Sequence, residues 1–178
     1  MLIHSYQENW ADDFKKIKEV ILETLGDKVL AIEHVGSTAI KHLAAKPIID
    51  LDVVHAGNIP FDEIKKGLEQ LDYDHNGDQG IPGREVFKRN KLKAEHPVLD
   101  SVKHHLYVCQ VGSAELQRHL LFRNYLRTHE QERMAYEQLK YEIAALANQD
   151  SKIYATWKER MAKTFVEAIL NKAKAVGA

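Results

Sequence analysis

A chain of 178 residues is long enough to bury a core without disulfide or metal staples, so one globular unit is expected. Its 25 Lys and Arg stand against 26 Asp and Glu, a balance that removes any overall electrostatic case for a nucleic-acid or membrane-surface partner. The single cysteine, Cys109, forms no internal disulfide, and the absence of a signal-peptide pattern or an apolar run of about 18 residues points to a cytoplasmic protein with no membrane segment.

From Glu8 to Leu25 apolar residues recur at helical spacing, through Trp10, Phe14, Ile17 and Ile21, and Gly26 follows as a left-handed C-cap. Lys28 to Val35 then reads as a strand, Gly36 breaks it, and Ser37 or Thr38 caps a short helix to about His42. Pro47 restarts the chain as a strand ending near His55, and Pro60 opens a helix to about Leu71. Asp72 to Gly83 is rich in Asp, Gly and Asn and reads as a loop. Arg84 to Arg89 and Val102 to Val111 are two more strands, expected to pair as a hairpin. After Gly112 helix formers take over. Ser113 caps a helix to about Arg127, Thr128 with Gln131 resembles a capping box for a helix to about Asn148, and Asp150 or Ser151 opens a last helix. The expected architecture is α+β, a mixed sheet flanked by helices over 1–112, with a helical C-terminal subdomain over 113–178 packed on it.

Two aspartates interrupt the strand Pro47-Ile-Ile-Asp-Leu-Asp-Val-Val54. Side chains alternate across a strand, so Asp50 and Asp52 share one face, a spacing that suits convergence on Mg²⁺ or Mn²⁺ in phosphoryl chemistry. A wet outer sheet face is the plainer alternative for a bare D-x-D. Gly36, Ser37 and Thr38 just upstream permit close backbone approach and supply hydroxyl and N–H groups for an anion, next to the proposed metal ligands. Lys46 is not preceded by glycine and starts no helix, so this is not a Walker A loop.

These residues, His34-Val-Gly-Ser-Thr38 and Lys46-Pro-Ile-Ile-Asp50-Leu-Asp52, resemble the signature of the GrpB family, a branch of the nucleotidyltransferase superfamily. Gly80-Ile-Pro-Gly-Arg84, His104-His-Leu-Tyr-Val108, Leu121-Phe-Arg-Asn-Tyr-Leu-Arg127 and Tyr136 to Lys140 are similar to further blocks of that family in the same order. The resemblance implies a polymerase-beta-like fold in which Gly36 and Ser37 contact a nucleoside triphosphate (NTP) and Asp50 with Asp52 ligate the metal. The superfamily often adds a third carboxylate from a later strand, for which Glu85 is the acidic candidate and His105 a substitute. Two positions depart from the family pattern: Asn124 stands where many relatives have an acid, and Tyr107 where many have a histidine. The implied activity is transfer of a nucleoside monophosphate to an unknown small-molecule or protein acceptor; the alternative is a catalytically weakened nucleotide-binding or regulatory module. Fusion of some relatives to dephospho-coenzyme A kinase adds a link to coenzyme metabolism by association only.

Three arginines are candidate anion contacts. Arg84 follows a Gly-Ile-Pro-Gly turn, and Arg123 and Arg127 lie four apart on a predicted helix that also carries His119, a spacing that builds a basic wall opposite the aspartates. Lys140, Tyr154 and Lys158 are candidate nucleotide contacts from the helical subdomain, with packing the plainer role. No histidine pair has zinc-site spacing on a long helix, and His104 and His105 face opposite sides of their strand. A His-assisted phosphohydrolase is the third functional class.

Overall fold

Five strands form one mixed sheet in a computed structural model that describes residues 1–90 and 92–177. They are β1 (Val29–Val35), β2 (Ile49–His55), β3 (Tyr73–His75), β4 (Arg84–Arg89) and β5 (His104–Gln110), in the spatial order β1-β2-β5-β4-β3. β1 and β2 run antiparallel, as do β5, β4 and β3, while β2 and β5 are parallel. The expected pairing of β4 with β5 is present, and β5 also binds β2 along its other edge.

Helices α1 (Asn9–Leu25) and α2 (Phe61–Gln70) lie on one sheet face, where Ile17, Ile21, Leu25, Ile64 and Leu68 pack with Leu51, Val53, Leu106 and Val108. Each of those side chains is almost fully removed from water, and burial of one contributes about 1.5–3 kcal/mol. Gly26 ends α1 at φ 58°, a conformation that favours glycine, and its N–H donates to the Leu22 carbonyl.

Four more helices follow: α3 (Ala114–Thr128), α4 (Glu130–Leu146), α5 (Ser151–Met161) and α6 (Lys163–Ala175). They lean on the segment after Gly36. Ile40 and Leu43 pack among Tyr125, Leu126, Tyr136 and Ile169, and Ile3 and Ala44 pack with Ile143 and Tyr154. α3 also crosses the second sheet face, where Leu116 joins Val54 and Cys109 in a small apolar cluster.

Three local expectations change. Tyr73–His75 pairs with Arg89–Phe87 as a short edge strand inside the stretch read as a loop, because Tyr73 is buried in the main core. The last helix divides at Ala162, a buried small residue where the chain bends so that Ile169 and Ala173 reach the α3 cluster. The Thr128 capping box does not form: the Thr128 hydroxyl donates back to the Asn124 and Tyr125 carbonyls, and His129 occupies the N-cap. Asp150 does cap α5, accepting from the Lys152 and Ile153 N–H groups at 2.9 and 2.8 Å. No helix among the described residues is long and apolar enough to cross a membrane.

Candidate active site

The parallel register sets Asp50 opposite His105 and Asp52 opposite Tyr107, which puts all four side chains on the face that α3 crosses. His105 Nδ1 donates to Asp50 Oδ1 at 2.9 Å. The other oxygen of Asp50 lies against Gly36, where a Cβ would sit 2.2 Å from Oδ2. Gly36 also holds φ 71° and ψ −170°, a region almost reserved for glycine, so this residue is what lets the carboxylate and the turn touch.

Asp52 is fully buried. Its Oδ2 accepts from His119 Nδ1 at 2.7 Å, while Oδ1 has no partner among the described residues. The other nitrogen of His119 faces Glu115 Oε1 at 3.2 Å. With a carboxylate at each nitrogen, both must donate, which makes the ring an imidazolium. Burial opposes that charge, but the bonds to Asp52 and Glu115 outweigh it and lift the imidazole to about 9. Burial raises the Asp52 carboxyl, and the His119 bond opposes that rise.

A raised folded-state pKa contributes stability that is fully present below about pH 6.5 and is lost as pH climbs through about 9. Relative to His119→Asn, the wild-type thermal midpoint is therefore expected to decline between those values. An equal slope in the variant would remove the assignment.

Over these residues lies a cleft of about 830 Å³, within the usual range for a small-molecule site. Gly36, Ser37, Asp50, His105 and Tyr107 line the sheet side; Arg118, Tyr136, Lys140, Tyr154 and Lys158 line the helical side. Lys46 also lines it, donating to the Ser151 hydroxyl at 2.8 Å and lying 5.6 Å from the Tyr154 ring centroid. Lys140 is buried, donates to the Ala44 carbonyl and sits 5.0 Å from the centre of the Tyr136 ring.

The structure thus brings together Gly36, Ser37, Thr38, Lys46, Asp50, Asp52 and His105. Thr38 borders the cleft with its hydroxyl already committed: it donates to the Ile48 carbonyl at 3.2 Å and meets His34 Nε2 at 3.0 Å. Arg84 stands at the margin, 4.7 Å from the Tyr107 ring centroid and 4.0 Å from Glu115. Two candidates lie elsewhere. Glu85 pairs in register with Val108, hence on the core face, and bonds His75 at 2.6 Å. Arg123 donates to Glu33 at 2.7 Å and to the His34 carbonyl at 2.8 Å, so with Arg127 on the Ala39 carbonyl there is no basic wall facing the aspartates. The Glu115–His119 pair on Asp52 was not anticipated from the sequence; its signal is the spacing of Glu115, His119 and Arg123 along one helix face.

The donor set suits a divalent cation in part. Asp52 has a buried carboxylate oxygen without a partner among the described residues, next to the cleft-facing Asp50, and both are oxygen donors of the kind Mg²⁺ takes. Among the described residues no group of three His, Cys, Asp or Glu is arranged to hold a metal.

A profile of the family described as GrpB protein matches residues 1–172. The UPF0157 protein YqkA of Bacillus subtilis is 33% identical over 162 residues, covering 91% of this chain and 45% of its own length, so the chain spans less than half of that relative. The glutamate-rich protein GrpB of Alkalihalophilus pseudofirmus is 32% identical over 177 residues, covering 96% of this chain and 94% of that protein. Among solved structures, the conserved protein GrpB from Enterococcus faecalis superposes with a TM-score of 0.77 at 29% identity, over 96% of this chain and 98% of that one. The Cid1 poly(U) polymerase bound to MgGTP superposes with a TM-score of 0.55 at 10% identity, over 82% of this chain and 45% of that one, a likeness of fold.

Proposed function

The chain belongs to the GrpB family, and from that premise we propose that it transfers a nucleoside monophosphate from an NTP to a small-molecule or protein acceptor with the help of Mg²⁺ or Mn²⁺. The observation that carries this reading is the same-face pair Asp50 and Asp52: Asp50 lines the cleft beside a turn that only glycine permits, and Asp52 is buried two residues along with one oxygen lacking a partner among the described residues. A fold likeness to a polymerase bound to MgGTP supports the same direction.

In this reading Asp50 and Asp52 would hold the cation, which when bound neutralises phosphate charge and polarises the phosphoryl oxygens. The Ser37 hydroxyl positions a phosphate against the turn. Lys46 and Lys158 balance the charge that gathers on the leaving pyrophosphate. The acceptor oxygen or nitrogen bonds to the α-phosphorus as the bond to the pyrophosphate oxygen breaks, and the acceptor's proton is released to solvent.

Transfer of label from α-labelled NTPs to an acceptor panel tests this. Asp50→Asn and Asp52→Asn are each expected to lower the rate by about 10³-fold or more, with circular dichroism showing folded protein. Transfer surviving in both variants would sink the reading.

A second reading, a nucleotide-binding module with weakened or no turnover, is favoured by one observation: Asp52 is already engaged by His119, and Glu85 lies on the far face. Calorimetric binding that requires Mg²⁺ and Ser37, without product, is its signature.

A further inference from the structure

A second groove, of about 470 Å³, runs between α1 and the end of α3 and shares no lining residue with the cleft. Its apolar wall is Ala11, Leu22 and Phe14, whose ring stacks on His34 at 4.6 Å and 10°. Its rim carries Lys15, Lys18 and Arg127 against the single acid Glu19. The pair of Lys15 with Asp12, at 3.2 Å, is about two-thirds exposed on both sides and so holds that ammonium weakly. Lys18 lies 5.8 Å from the Phe14 ring centroid. Arg127 spends Nε and Nη2 on the Ala39 carbonyl, at 3.0 and 2.7 Å.

Proton accounting fixes the state of His34. The Thr38 hydroxyl gives its only hydrogen to the Ile48 carbonyl, so it accepts from His34 Nε2, and His34 Nδ1 is left as a bare acceptor. Burial holds this imidazole near 4, so it is neutral.

Two groove residues therefore hold the Ser37–Ala39 turn: His34 through the Thr38 hydroxyl, and Arg127 through the Ala39 carbonyl. Ser37 and Thr38 of that turn line the cleft. We propose that the groove is an effector site for a small organic phosphate, with the phosphate on Lys15, Lys18 and Arg127 and the apolar part on Phe14 and Leu22, and that occupying it shifts the Ser37–Ala39 turn. A hydroxyl on the ligand has His34 Nδ1 as its acceptor. The case for a ligand in the groove stands without any nucleotide in the cleft; the effect on nucleotide affinity rests on the nucleotide reading above, and by linkage that effect is reciprocal.

Nuclear magnetic resonance titration of the ¹⁵N-labelled full chain with phenyl phosphate tests both halves. The expected result is shifts at Phe14, Lys18 and His34 together with the amides of Ser37 and Thr38. Lys18→Glu, at a position whose ammonium lies over the Phe14 ring, should weaken binding at least tenfold. Lys46→Ala, in the other cleft, should leave it unchanged. Shifts confined to the cleft, or undiminished in Lys18→Glu, overturn the site. Inorganic phosphate binding as tightly as phenyl phosphate overturns the organic ligand class, and a still turn at saturation overturns the coupling. With saturating phenyl phosphate, the affinity for Mg-ATP should change at least threefold in the wild type and not in Lys18→Glu. Failure of Mg-ATP to bind at all counts against the nucleotide reading alone, because turn-amide shifts that disappear in Lys18→Glu report the coupling without it.

Discussion

Lys140→Met is expected to raise stability by about 1–2 kcal/mol, and the thermal midpoint by about 2–8 °C, while weakening nucleotide binding about tenfold. Lys140 is 1% exposed, its ammonium donates to the Ala44 carbonyl and faces the Tyr136 ring, and among the described residues no carboxylate is in ion-pair contact with it. Burial holds its pKa well below the ordinary lysine value, so folding at neutral pH either desolvates a charge or expels a proton. Methionine has similar length and neither cost, though it leaves the Ala44 carbonyl without that donor, a loss of about 1 kcal/mol. The sign with pH follows. Between the lowered folded value and about 10.5 the unfolded chain binds the proton more tightly, so wild-type stability rises with pH relative to Lys140→Met across that window. Lys140 also lines the cleft, and the expected loss of nucleotide affinity rests on that position and on the nucleotide reading proposed above. Denaturant unfolding at several pH values, with calorimetric titration of Mg-ATP, checks both halves; a lower midpoint in the variant would remove the desolvation argument.

Gly36→Ala is expected to cost about 3–5 kcal/mol, a fall of about 6–20 °C in thermal midpoint. Two effects add at one residue. The backbone sits at φ 71° and ψ −170°, where an L side chain is strained. The new methyl would also lie 2.2 Å from Asp50 Oδ2 and 2.9 Å from its Cγ. Either the turn or the carboxylate must retreat, and both belong to the cleft, so Mg-ATP binding should fall in parallel. A midpoint within about 2 °C of wild type would mean that the turn is held far less firmly than its contacts indicate.

Much of this site is readable from residue order because strand alternation is a local rule. Asp50 and Asp52 had to share a face once Pro47 to His55 was a strand, and His104 and His105 had to part. Which residues of a different strand join that face depends on register, a non-local quantity. Arg84 and Glu85 are neighbours, and a slip of one residue exchanges them; pairing of Val86 with Tyr107 puts Glu85 on the core side. The same limit hid the Glu115–His119 arrangement, since helical spacing places those residues on one stripe without saying which strand residue lies beneath. β3 was missed because three residues among Asp, Asn and Gly carry no periodicity, and Tyr73 is ordered by the core rather than by local preference. At Ala162 no proline or glycine marks the bend between α5 and α6.

The order in which the molecule assembles follows from its central strand pair. β2 and β5 are parallel, so no tight turn joins them, and Asp50 meets His105 across 55 positions of chain while Asp52 meets His119 across 67. Closing loops of that length carries an entropy cost that only later contacts repay. On a growing polypeptide both aspartates leave the ribosome well before their partners, with the β2 edge that β5 will occupy still open. The two carboxylates are thus made well before the residues that bond them and are among the last parts of the site to be seated, and slowed synthesis between residues 55 and 110 lengthens the interval in which that bare strand edge meets other chains.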